Sequence, residues 1–165
     1  MARKPKPPVE RVGRDKFCIN LDLEEVDLIH RLMTELRQLL NEPPADDGRL
    51  RRLFPVAYHD PGDRELDEEY QRLMHDELLQ SRLKGLDLVD DFMAGGLRHQ
   101  RLTESDLLAF VQALNSLRLV LGTILDVSED HDFGEVADDH PLVGEYQLYD
   151  FLSWVLDWSV RALQG

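Results

Sequence analysis

Between Thr103 and Leu125, apolar residues recur at every third and fourth position so densely that two stripes lie side by side on one helix. Phe110, Leu114, Leu117, Leu121 and Ile124 form the first stripe. Leu108, Val111, Asn115, Arg118 and Gly122 form the second. Only a narrow strip with Ser105, Gln112, Ser116 and Thr123 is left for water. A helix wetted on so little of its circumference must be enclosed by other elements, so the chain is expected to fold around it. Thr103 and Asp106 have capping-box spacing and mark its start.

The elements that enclose it have their own local signals. Phe17, Ile19 and Leu21 alternate with Lys16, Cys18 and Asn20, and Gly13 and Asp15 supply turn chemistry, which predicts a β-hairpin over Val9 to Leu21. A lone hairpin is marginal in water and must pack on helices. Asp22 and Glu25 form a second capping-box pattern, with Asp in the place of Ser or Thr. It opens a helix from Leu23 to Leu40 that stops before Pro43-Pro44. From Arg64 to Ala94 the pattern is helical in two pieces. Leu66, Tyr70, Leu73 and Glu77 share one face, and a break between His75 and Gly85 would bring Leu86, Val89 and Met93 to the core. An acidic loop covers 126–141. A last helix, Val143 to Leu163, is apolar on most sides, and Trp154 and Trp158 read as core residues, with a homodimer seam as the alternative. The expected fold is mainly α: a compact helical bundle with a small N-terminal β-hairpin, a disordered basic tail over 1–8 and one domain over 9–165.

Charge narrows the function classes. The 165 residues carry 19 Lys and Arg against 33 Asp and Glu, a net charge of −14. Binding to phosphates rests on neutralising them, so direct nucleic-acid or anionic-membrane binding is not expected. The first 16 residues are the exception, with six cations against two acids, and they leave −18 on the rest. Arg49, Arg51 and Arg52 form a further basic cluster. No basic residue lies between Arg118 and Arg161, where ten acids fall. Asp130, Asp132 and Asp138 of this stretch, with the arginine cluster, are the candidate partner-binding residues, and the partner is expected to be a basic protein. A monomer and a homodimer both fit. No signal peptide or run of about 18 apolar residues is present, and the single cysteine fits a reducing, cytoplasmic setting.

The residues that could carry chemistry are few. Arg118 lies between two apolar stripes, and a buried guanidinium needs a carboxylate. The expected polar core is therefore Asn115, Arg118 and Asp150, with Arg118 and Asp150 paired and a ligand-anion site as the alternative. Cys18 is expected on the strand face shared with Lys16 and Asn20. There it would be partly exposed beside positive charge, which makes it the one redox candidate. A calcium loop starting at Asp126 fails, because its sixth position is His131 where glycine is required. His30, His59-Asp60 and Asp126 follow the order of ligands in helical metal phosphohydrolases, but Pro61-Gly62 makes a turn where such a site needs a rigid element. No phosphate-cradling glycine loop, CxxC pair or nucleophile elbow is present. No catalytic residue, metal or cofactor is assigned, and the chain is read as a non-enzyme.

Four segments carry a resemblance: Arg52-Leu53-Phe54-Pro55 with Tyr58, Ala113 to Thr123, Val127-Ser128-Glu129-Asp130, and Tyr149-Asp150-Phe151-Leu152-Ser153-Trp154. In that order they make the chain, from about Arg11 onward, resemble an actinobacterial domain family of unknown function. Some of its members are labelled oxidative-stress transcriptional regulators. The resemblance implies a cytoplasmic protein, often encoded beside the adaptor of the Clp protease, with no catalytic residues to carry over. A thiol–disulfide switch within one chain needs two cysteines, so sensing through Cys18 alone would require an intermolecular or mixed disulfide, or a sulfenic acid. The first expectation is a regulatory protein that touches a sigma factor or another basic, polymerase-associated component. An adaptor in regulated proteolysis is the alternative, and a helical metal-dependent phosphohydrolase a further one.

Overall fold

The computed structural model describes residues 4–41, 49, 53–54, 64–96, 101–126 and 137–165. Among these residues a two-stranded antiparallel hairpin, β1 (Val9–Gly13) and β2 (Lys16–Ile19), precedes four helices. These are α1 (Leu23–Asn41), α2 (Arg64–Ala94), α3 (Glu104–Ile124) and α4 (Val143–Gln164). This is the mainly helical fold with an N-terminal hairpin that the periodicities imply. Helix α3 packs against α4, α2, α1 and β2, so the helix with two apolar stripes is the central one. Phe110, Leu114 and Leu117 lie at the centre of the core. By length and apolarity alone α3 would pass for a membrane span. Enclosure by the other elements uses only part of that apolarity: Leu108, Asn115 and Ile124 of the two stripes stay exposed, and Ser116, expected on the wet strip, is buried.

Both capping boxes form. The Asp22 carboxylate accepts from the Glu25 amide at 2.8 Å, and Glu25 returns the bond to the Asp22 amide at 3.1 Å. Thr103 and Asp106 do the same for α3. These satisfy amide groups that the first turn of a helix leaves without partners.

The hairpin is bonded to the bundle through its turn and through β1. Asp15, in the left-handed region at φ 51°, accepts from the Glu104 amide at 2.6 Å and so places a carboxylate at the N-terminus of α3. Arg11 donates to the carbonyls of Ala162 and Leu163 at the C-terminus of α4 and lies over the Phe17 ring. Each charge sits at the helix end whose dipole it complements. Phe17 also exchanges two backbone bonds of 2.9 Å with Leu102, which lays the approach to α3 along β2. The tail is not free to residue 8: the Asn20 side chain donates to the Pro7 carbonyl and its amide to the Pro8 carbonyl.

Helix α2 corrects the sequence reading, because its 31 residues run without a break. Gly85 lowers helix propensity, yet packing of Leu86, Val89 and Phe92 in the core holds the helix through it. Gly85 has no positive φ, and a Cβ there would meet nothing within 4 Å. Gly85→Ala is therefore expected to raise stability by about 0.5–1 kcal/mol. A shift of the urea midpoint to higher concentration checks this, and a lower midpoint would refute it.

Candidate functional site

An unbroken α2 has a direct consequence for the surface. Its two apolar faces lie on opposite sides of one cylinder, so only one of them can reach the core. Leu86, Val89 and Phe92 take the core. Tyr70, Leu73 and Met74 are left 43%, 59% and 38% exposed. Exposed Glu69, Asp76 and Glu77 flank them, and Leu73, Asp76, Glu77 and Lys84 line one shallow depression. An apolar stripe set among carboxylates is a surface suited to recognition.

Ion pairs from α1 hold the C-terminal half of α2. From α1, Arg37 reaches Asp87 at 2.6 Å and Asp90 at 2.5 Å, one guanidinium nitrogen to each carboxylate. Burial acts to lower the Arg37 pKa, but the two carboxylates outweigh it and the net shift is upward. The pair is partly exposed and serves chiefly to fix the register of the two helices. On the N-terminal half of α2, His75 stacks on Phe54 with ring centroids 4.0 Å apart.

Several expected site residues lie elsewhere. Asp130, Asp132, Arg51 and Arg52 fall outside the described residues, as do His59 and Asp60. Asp138 is exposed in the turn before α4. Arg49 is exposed and lines a shallow cleft with Glu35, Leu39 and Leu121. His30 is exposed 3.8 Å from Asp90. Among the described residues no three His, Cys, Asp or Glu side chains converge as a metal-ligand set.

The expected polar core takes a different form. Asn115 and Asp150 are both exposed, and Arg118 is half-buried. Its Nε donates to the Ser153 hydroxyl at 2.9 Å and its Nη2 to the Tyr149 hydroxyl at 3.3 Å, with the guanidinium over the Tyr149 ring. The Arg118–Asp150 pair does not form. The hydroxyls of Tyr149 and Ser153, one residue before and three residues after the acid on α4, and the Tyr149 π-face take its place. Although the residue is exposed, partial desolvation of its carboxyl raises the Asp150 pKa. A carboxyl whose folded pKa is raised favours folding most when protonated, and that contribution is lost as pH rises through the folded pKa. Asp150→Asn is thus expected to stabilise the protein slightly at about pH 7 and to have no effect well below the carboxylate range. Urea midpoints at the two pH values check this, and destabilisation at neutral pH would refute it.

Cys18 is also corrected. It is only 8% exposed, and Arg101 Nη1 lies 2.6 Å from its Sγ. Strand alternation does turn it away from Phe17 and Ile19, but the bridge between Phe17 and Leu102 brings Arg101 across that second face. Trp154, expected in the core, is 46% exposed, because Leu152, Val155, Ser159 and Ala162 take the inward side of α4.

Among the described residues, fold and surface define a mainly helical domain with an N-terminal hairpin and an exposed apolar stripe on α2. The chain belongs to the family described as domain of unknown function DUF2017, which matches residues 7–163. It is similar to proteins named oxidative stress regulator AosR from Mycobacterium bovis and Mycobacterium tuberculosis. Each is 30% identical over 131 residues, covering 72% of this chain and 59% of the relative. The chain thus spans about three fifths of the length of these relatives. A further relative, from Mycobacterium leprae, is 26% identical over 190 residues, covering 95% of this chain and 87% of that protein. No solved structure matches.

Proposed function

We propose that this chain is a cytoplasmic, non-enzymatic regulator of an oxidative-stress response. It acts by docking a basic, polymerase-associated protein such as a sigma factor onto the exposed face of α2 and the acidic surface beside it. One observation carries the reading: continuity of α2 leaves Leu73 and Met74 exposed amid carboxylates. The apolar side chains would supply contact area, and the acids would steer a cationic partner and orient it. The regulator names of the relatives support the stress-response part of the proposal. A net charge of −14 favours a protein partner over duplex DNA.

The test uses the immobilised chain to capture proteins from an extract of the organism that encodes it, with the bound partner then purified and titrated. A basic protein held at about 0.05 M salt and released by about 0.5 M supports the proposal, since screening weakens exposed charge pairs. Affinity indifferent to salt, or sequence-selective binding of duplex DNA by the chain alone, would overturn it.

A further inference from the structure

A second feature, independent of partner docking, lies on the other side of α2. Helices α1, α2 and α3 enclose a cleft of about 260 Å³ whose wall includes Leu36, Leu78, Arg82, Gly85 and Asn115. Arg82 is the unusual member. Its Nη1 donates to the Ser116 hydroxyl at 2.6 Å and its Nη2 to the Leu53 carbonyl at 3.3 Å. Both acceptors are neutral. Its Nε is buried and has no hydrogen-bond partner. Burial lowers the Arg82 pKa, and among the described residues no carboxylate pairs with it. Arg37 and Arg161, in contrast, both contact carboxylates.

A half-buried guanidinium without a carboxylate partner is costly, and a leucine or methionine of similar volume would avoid the cost. The Nε has no accessible surface, so an anion in the cleft would meet the accessible part of the guanidinium and supply the missing countercharge there. Gly85 points the same way: no atom lies within 4 Å of where its Cβ would be, so a glycine in mid-helix leaves this wall open.

The lining selects among anions. There is one guanidinium, the Asn115 and Gln112 amides stand at the rim, and Leu36, Leu78 and Leu86 supply apolar wall. One cation with neutral donors balances one negative charge, and a net −14 disfavours phosphates of higher charge. The volume lies below the range of about 300–1,000 Å³ usual for drug-sized ligands. We propose that this cleft binds a small monocarboxylate. Its carboxylate pairs with the Arg82 guanidinium, and its short apolar body lies along Leu36, Leu78 and Leu86.

The test titrates the purified chain, without any protein partner, with aliphatic and aromatic monocarboxylates of about four to eight carbons. The corresponding neutral amides and inorganic phosphate serve as controls. Backbone and side-chain amide NMR signals report binding. At least one carboxylate should shift the Asn115 and Gln112 side-chain amides saturably, while its amide analogue and phosphate do not. Arg82→Met should weaken that binding at least about tenfold, the loss expected for a charge-assisted pair. Gly85→Leu, which fills the cleft and keeps the guanidinium, should weaken it too. Circular dichroism establishes that each variant is folded, and the two variants fail independently if either does not fold. No saturable shift with any carboxylate, equal binding of the neutral amide, or undiminished binding by both folded variants would overturn the proposal. None of these readouts depends on the docking partner, so the two proposals fail separately.

Discussion

Phe17→Ala is expected to destabilise the whole domain by about 3–5 kcal/mol, not merely to fray the hairpin. The ring is fully buried. Its backbone carries both bonds to Leu102, and Arg11 lies over its face while reaching the C-terminus of α4. A cavity at this position loosens three attachments together. Small domains are stable by only about 5–15 kcal/mol, so the loss takes a large share of the total. Urea unfolding followed by helical circular dichroism and by the fluorescence of Trp154 and Trp158 should show both transitions moving together to lower denaturant. If both transitions keep the wild-type midpoint, the hairpin is an appendage and the prediction fails.

Charge reversal on α2 has the larger expected effect on function. Asp76→Lys with Glu77→Lys replaces two exposed carboxylates beside Leu73 with cations. Electrostatic steering changes association rates by about 10 to 1,000-fold, so the double variant should bind the captured partner at least about tenfold more slowly at low salt. The difference should shrink as salt is raised, because screening removes what the substitution removed. Leu73→Ala should instead act mainly on dissociation, since it deletes contact area and leaves the field intact. Glu24→Lys with Asp27→Lys on α1, both exposed and remote in sequence, makes the same change in net charge and serves as its control. Equal slowing by that pair would show that the overall charge matters and the α2 face does not.

The two predictions concern features of very different legibility. The attachment of Phe17 follows from strand alternation, which places it on the buried face with Ile19 and Leu21. The α2 face was legible only in part. The sequence shows that Leu66, Tyr70, Leu73 and Glu77 share one side and that Leu86, Val89 and Met93 share another. A break near Gly85 would have buried both. Whether a glycine interrupts a helix depends on packing around it, and here Leu86, Val89 and Phe92 hold it helical. The exposed apolar face of α2 exists because that break is absent.

The polar residues show the same division. Arg118 was recognisable from its place between apolar stripes, but its partners were not, because Ser153 and Tyr149 flank the expected Asp150 on α4. Arg82 carried no comparable signal. Nothing in α2 alone indicates that its guanidinium enters a cleft between three helices and meets only neutral oxygens. Gly85, three residues on, was the nearest hint.

From the sequence alone came the hairpin turn, the two capping boxes, the helical periodicities and the central place of α3. These rest on contacts within a few residues along the chain, where spacing dictates geometry. Tertiary structure alone decided which face of α2 stayed in water, that Arg101 would cover Cys18, and which oxygens the arginines would meet. Those outcomes depend on elements distant in sequence competing for the same limited core, and local periodicity carries no record of that competition.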